Sequence, residues 1–281
     1  MAGCDKIISK NFRGVSSTDT VKIYETMCRT AKEAGEIIAS TRADSVGKAM
    51  KSGTANYVTE CDVRVQKFIF EKLSVFSPEV GFFGEEDCGS NGGECDLVFI
   101  VDPIDGTSNF MFDLKLSVVS IALGSKKDDS VLAAAIYCPF TGELFSAIKN
   151  GGAFVNGKPI SVSQNDLEHS LAAFGSTPYD RAVSKLHMSI LADVFAGCID
   201  VRNLGSAALH LAYVAAGRFS AFYELRLSPW DYAAGSLLIT EAGGKISNFG
   251  GKAVNLSALD SVMAGGPTAY EELSAIIRKH L

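Results

Sequence analysis

No apolar run in these 281 residues reaches the ~18 needed to span a bilayer, which leaves no candidate membrane-spanning helix. Basic runs are missing as well. Lysine and arginine number 26 against 32 aspartates and glutamates, a formal net charge of −6. The densest basic pair, Lys126-Lys127, is followed at once by Asp128-Asp129 and reads as a solvated turn. This balance argues against nucleic acid as the main partner. The seven cysteines contain no C-x-x-C. Cys88 and Cys95 resemble half of a zinc site, but no second Cys/His pair at ligand spacing accompanies them. Their odd count and scatter, with no signal peptide ahead of them, lead us to expect reduced thiols in a cytoplasm. The four histidines, His169, His187, His210 and His280, form no H-x-x-x-H pair and are expected to be structural or surface residues. Neither a G-x-S-x-G elbow nor a P-loop occurs, so serine-hydrolase and nucleotide-kinase chemistry lack support.

What is present is an ordinary globular balance, 47% apolar and 21% charged, long enough for one large core or two closely packed ones. Three segments are expected. Residues 1–18 form an N-terminal arm, 19–164 an N-terminal α+β half, and 165–281 a C-terminal α/β half. Asp19 or Thr20 is placed to cap a helix with Val21, Tyr24, Cys28, Ala31, Gly35 and Ile38 along one face. Residues 43–60 read as loop. A second helix runs from Asp62 through Phe68, Ile69 and Leu73 and stops before Pro78; Gly84–Asp87 reads as an acidic loop and Gly89–Gly93 as a flexible turn. Strands are expected at 97–101, 117–123, 131–137 and 143–148, an antiparallel meander. Beyond residue 165, helices at 181–196, 205–217, 231–242 and 268–280 alternate with strands at 199–202, 221–224, 244–247 and 262–264, which implies a partly parallel sheet. The two halves are expected to share one core.

The chemistry centres on Asp102-Pro103-Ile104-Asp105-Gly106-Thr107, which follows the apolar run Leu97–Val101. Two carboxylates three residues apart at a strand end can enter one cleft, with the Ile104 carbonyl between them and Pro103 stiffening the turn. Gly106 lets backbone approach a ligand, and Thr107 adds a hydroxyl where a helix can start. Hard oxygens beside free N–H groups suit magnesium and a phosphate together. Other carboxylates are available in Glu85-Glu86, Asp62 and Asp231. Taken singly, Asp62 and Asp231 read as helix caps and Glu85-Glu86 as a solvated loop.

In combination these segments resemble the inositol monophosphatase family of magnesium-dependent, lithium-sensitive phosphatases. Val101–Phe110 is similar to the family's first signature, and Trp230–Gly235 running on to Thr240–Gly244 is similar to its second. Gly84-Glu85-Glu86 and Lys51…Val58–Asp62 match two further elements in order, so the resemblance covers roughly residues 20–275. It implies a mixed α/β (α+β) fold, a layered αβαβα sandwich with an antiparallel N-terminal and a mixed C-terminal sheet, usually a homodimer. It further implies two to three Mg²⁺ ions, with Mn²⁺ a possible substitute. Glu85, Asp102 and the Ile104 carbonyl would hold the first, and Asp102, Asp105 and Asp231 the second. Thr107 and Asp62 would orient the attacking water, Glu85 would help activate it, and the Gly106 and Thr107 N–H groups, beside Asp105, would receive the phosphate.

Glu224 matches the family residue that bonds sugar or cyclitol hydroxyls, with a helix cap as its alternative. Gly205-Ser206-Ala207 resembles the segment lining the same pocket. Lys51 either offsets carboxylate charge, beside Glu86, or is solvated; Arg202 either faces the pocket or pairs at the surface. The chain departs from the family pattern at Asn56, where Asp is common, at Met111–Lys115, which lacks the usual His and Pro, and at Arg226, where a small residue is frequent. Arg226 meets either a second anionic group of the substrate or solvent or a dimer interface. Ser108-Asn109-Phe110 favours the inositol branch over the nucleotide branch, where Lys-Glu-Phe is typical. The expected substrate is therefore inositol monophosphate or a related small polyol or sugar phosphate. Fructose-1,6-bisphosphatase, histidinol-phosphate phosphatase and adenosine 3′,5′-bisphosphate phosphatase activities are alternatives, and a regulatory protein-binding role is the alternative of another class.

Overall fold

The computed structural model describes residues 17–42, 44, 46–52, 56–86 and 95–281. The expected arm, save its last two residues, and the Gly89–Gly93 turn lie outside them, as do Asp87 and Cys88. Helix α1 (Ser17–Ser40) includes Asp19 and Thr20, so neither caps it. Its buried stripe is Ile23, Met27, Ala31, Ala34 and Ile38. Ala31, Gly35 and Ile38 are buried as expected, whereas Val21, Tyr24 and Cys28 sit half-buried at the edge of the stripe. Residues 43–60, expected as loop, contain an antiparallel hairpin of β1 (Lys48–Ser52) and β2 (Asn56–Thr59). Its first strand, Lys-Ala-Met-Lys-Ser, has no β-branched residue to announce it, and its second, Asn-Tyr-Val-Thr, is only four residues long.

The chain continues through α2 (Glu60–Phe76), β3 (Gly81–Gly84), β4 (Leu97–Asp105), α3 (Thr107–Met111), β5 (Val118–Ser125), β6 (Ser130–Cys138), β7 (Glu143–Ile148), β8 (Gly152–Val155) and β9 (Lys158–Pro159). Strands β3 to β9 form one sheet in sequence order. All its pairings are antiparallel except β3 with β4, which is parallel, the two strands being separated in sequence by residues 85–96 rather than by a tight hairpin turn. The second half supplies β10 (Leu171–Phe174), a 3-10 turn at Arg181–Val183 leading into α4 (Ser184–Ala196), β11 (Asp200–Arg202), α5 (Ala207–Ala215), β12 (Ala221–Leu227), α6 (Pro229–Glu241), β13 (Lys245–Ser247), β14 (Asp260–Gly265) and α7 (Pro267–Arg278). Its five-stranded sheet has the order β11-β10-β12-β14-β13, parallel across the first three strands and antiparallel across the rest.

Helices α1 and α2 cover one face of the larger sheet, and α4 with α7 covers the outer face of the smaller one. Helices α5 and α6 lie between the sheets, which makes five layers, the expected αβαβα sandwich. A helix apolar all round belongs in such a place. In α5, Ala207-Ala208-Leu209-His210-Leu211-Ala212 is buried without interruption. The cluster around it joins Val98, Ile136 and Phe145 of the larger sheet to Phe222 and Val262 of the smaller. Among the described residues no helix is long and apolar enough to cross a membrane.

Candidate active site

Asp102 and Asp105 lie on β4 itself, beyond the expected strand end. Side chains three positions apart on a regular strand point to opposite faces. Here the pairing with β5 slips between them: Asp102 faces Ser120 and Asp105 faces Val118, so β4 carries one extra residue. This bulge returns the second carboxylate to the face of the first, and it accommodates Pro103 inside a central strand. Carboxylate oxygens of Asp102, Asp105 and Asp231 consequently lie within 4.8 Å of one another.

Asp231 arrives from the start of α6, and Asp62 from the start of α2, by the same local device. Each is the third residue of its helix and closes a capping box. Asp62 Oδ2 accepts from the Thr59 N–H at 2.8 Å, and Asp231 Oδ2 from the Ser228 N–H at 2.7 Å. One oxygen holds the helix end and the other is left for the site. Asp62 Oδ1 accepts the Thr107 hydroxyl at 3.2 Å, a hydroxyl that also reaches the Ile104 carbonyl at 3.2 Å. The readings of these residues as caps and as site groups are thus compatible. Thr107 itself is no cap, because α3 begins after Gly106, whose φ of +92° suits only glycine.

The start of α5 anchors Asp105. Ser206 Oγ donates to its Oδ2 at 2.7 Å, and the Ala208 N–H donates to the same oxygen at 2.6 Å. The Ala207 and Gly106 N–H groups add to this pull. Glu85 follows β3, its N–H bonded to the Val101 carbonyl at 3.1 Å. Lys51 Nζ pairs with Glu85 at 3.1 Å and also with Glu86. Gln66, buried on α2, accepts from the Glu86 N–H at 2.9 Å and donates to its carbonyl. The sequence reading overlooked Gln66; a polar residue on the buried face of a helix was the available signal.

Glu224 is buried on β12 and accepts the Thr177 N–H at 2.9 Å. Arg226 pairs with Asp180 at 2.9 Å. Arg202 pairs with Asp200 on an exposed edge strand and does not join the acidic group. His187 and His210 are buried, while His169 and His280 pair with Asp166 and Asp193.

Burial without compensating charge governs the electrostatics. It lifts Asp105 to about 6, against the hydrogen bonds from Ser206, Ala208, Ala207 and Gly106. Glu85 rises to about 7, chiefly by burial and despite Lys51, and Glu224 to about 8 by burial and the charge of Asp105. Asp102 and Asp231 are held well above the usual carboxylate range by burial and by their acidic neighbours. Such a cluster retains protons unless a cation replaces them. Its donors are all hard oxygens, with neither histidine nor thiolate, and they fit magnesium.

A family model described as the inositol monophosphatase family matches residues 19–281. The Nus factor SuhB of Escherichia coli (strain K12) is 36% identical over 256 residues, covering 90% of this chain and 94% of that protein. An inositol-1-monophosphatase of Mesorhizobium japonicum is 39% identical over 232 residues, 82% of this chain and 85% of its own length. Among solved structures, the extragenic suppressor protein suhB of Bartonella henselae superposes with a TM-score of 0.87 at 34% identity, over 92% of this chain and 100% of that one. With the bulged Asp102–Asp105 strand and both acidic capping boxes in place, a match of this length identifies the chain as a member of the inositol monophosphatase family.

Proposed function

We propose that the protein is a magnesium-dependent phosphomonoesterase acting on inositol monophosphate or a related small polyol or sugar phosphate. The observation that carries this reading is the convergence of Asp102, Asp105 and Asp231 within 4.8 Å, beside the hydrogen-bonded pair of Thr107 and Asp62. Glu85, Asp102 and the Ile104 carbonyl would hold one ion, and Asp102, Asp105 and Asp231 another. When bound, such ions polarise the phosphoryl oxygens, acidify water and neutralise the leaving alkoxide.

The chain's own groups supply orientation and proton transfer. Asp62 is fixed through Thr59, so it draws the Thr107 proton and leaves the Thr107 oxygen lone pairs to receive a water O–H. Glu85, beside Asp102 and paired with Lys51, is the carboxylate that would help draw a proton from that water. Glu224, lifted to about 8, stays protonated at pH 7 and can donate to a substrate hydroxyl. No side chain need be phosphorylated. The enzyme is taken to be a lithium-sensitive, cytoplasmic homodimer in which Mn²⁺ can replace Mg²⁺.

Phosphate release from inositol 1-phosphate, fructose 1,6-bisphosphate, histidinol phosphate and adenosine 3′,5′-bisphosphate tests the assignment. Mg²⁺-dependent turnover should be highest for the inositol ester and lost in EDTA and in Asp105→Asn. The similarity to proteins described as Nus factor SuhB supports a second reading, a regulatory protein-binding module on the same scaffold. Absence of turnover on every ester, with partner binding indifferent to EDTA, would favour that reading.

A further inference from the structure

The backbone of Leu204 is gripped on both sides by buried side chains. Its N–H donates to His210 Nε2 at 2.7 Å, and its carbonyl accepts from Asn109 Nδ2 at 2.6 Å. Asn109, on α3, also donates to the Leu116 carbonyl at 3.2 Å. One carboxamide thus ties the loop ahead of α5 to the loop ahead of β5. Neither Leu116 nor Leu204 lies in a helix or strand, so this side chain stands where a ladder partner otherwise would. The fit is close. A Cβ on Gly205 would lie 2.9 Å from Asn109 Oδ1, and one on Gly106 would lie 3.2 Å from both Asn109 Nδ2 and the Gly205 carbonyl. Gly205 has φ at +69° and Gly106 at +92°, so two left-handed turns meet around one side chain.

Both turns lead directly to Asp105. Gly106 is its neighbour in the chain, and Gly205 is followed by Ser206. Ser206 Oγ donates to Asp105 Oδ2 at 2.7 Å and accepts the Leu209 N–H at 3.2 Å. The Ala208 N–H reaches the same carboxylate oxygen at 2.6 Å. The first residues of α5 therefore hold Asp105, and the Leu204-Gly205 turn sets where those residues begin. Asp105 is in turn one of the three carboxylates that lie within 4.8 Å of one another. Every step from Asn109 to that cluster is a covalent bond or a hydrogen bond of 2.7 Å or less.

Resting on the magnesium assignment above, we propose that Asn109 is a positioning residue for the metal-binding cluster. It fixes the Leu204–Ser206 turn so that Ser206 and the Ala208 N–H keep Asp105 beside Asp102 and Asp231. A side chain that only filled space beside α3 could be exchanged for an apolar one. A side chain that must donate twice could not.

Mg²⁺ titration calorimetry of the metal-free protein tests this, following the binding phase that is lost in Asp105→Asn. Ser206→Ala and Asn109→Ala should each weaken that phase about 10-fold, the usual scale for a partner behind a metal ligand. Because both act on Asp105 by one route, the double variant should bind about as weakly as either single one. Gly205→Ala, which presses the turn away from Asn109, should also cost about 10-fold, and it decides the matter if Asn109→Ala does not fold. Ile277→Val trims packing in the outer layer of the smaller sheet and should leave the phase unchanged. An affinity within about 2-fold of wild type in folded Asn109→Ala, or in Gly205→Ala, overturns the proposal. So does a double variant weakened more than about 30-fold, the mark of independent effects, or a loss in Ile277→Val equal to that in Asn109→Ala. A wild-type protein that takes up no Mg²⁺ overturns the magnesium assignment itself, and this inference with it.

Discussion

Thr107 has a hydroxyl whose one proton is shared between Asp62 and the Ile104 carbonyl, which leaves its lone pairs directed elsewhere. Thr107→Val, nearly the same in volume, should therefore lower kcat about 10²-fold with little change in KM, as expected when a proton-transfer partner is lost. Steady-state kinetics at saturating Mg²⁺ would show this. His210 behaves oppositely, as a residue of stability. Its Nε2 accepts from the Leu204 N–H at 2.7 Å, its ring stacks on Phe222, and burial pushes it down to about 3. A depressed folded-state pKa gives stability that is complete above the unfolded value near 6.5 and is lost as pH falls toward 3. At pH 5 that loss is about 2 kcal/mol. Between pH 7 and pH 5 the urea-unfolding free energy of the wild type should change less favourably than that of His210→Gln by about this increment, the comparison cancelling the carboxyl contribution common to both.

Among the elements, the turn at Gly106 is one whose backbone conformation calls for glycine. Its φ is +92°, and a Cβ there would meet Asn109 Nδ2 and the Gly205 carbonyl at 3.2 Å. Gly106→Ala should cost about 1–2 kcal/mol in the left-handed conformation alone, read by thermal unfolding, and should raise KM because Thr107 follows directly. At this scale the legibility of the sequence was uneven. The strand 143–148 and the helices around 184–196 and 229–241 follow from periodicity and caps. The slip in β4 does not, because register is a property of two strands, and Asp102-Pro103-Ile104-Asp105 names only one of them. Strand β1 was missed for lack of β-branched residues, and β2, β8 and β10 for their four-residue length. Asp62 and Asp231 were legible as caps or as site residues. That they serve as both follows from the two oxygens of a carboxylate, which Thr59-x-x-Asp62 and Ser228-x-x-Asp231 spell out once the capping box is looked for.

For the whole molecule, the acidic cluster opposes the fold unless it is neutralised. Glu85, Asp105 and Glu224 are lifted to about 7, 6 and 8, and Asp102 and Asp231 also rise. Raised carboxyl values mean that the folded state holds more protons than the unfolded one. Stability is then fullest below the unfolded values near 4 and falls as pH climbs through 6 to 8. In EDTA the thermal midpoint should accordingly be lower at pH 8 than at pH 6. Mg²⁺ should raise it more at pH 8, because the ion competes with fewer protons. The layer order was legible in advance through family resemblance, since composition and periodicity alone name helices and strands without stacking them.

The metal-seeking carboxylates of β4 and the Glu224–Arg226 stretch of β12 belong to different sheets, joined through the buried α5 and α6. On the function proposed above, a substitution along β12 would reach the Glu224 side of the site while leaving intact the register slip of β4 that brings Asp102 and Asp105 together.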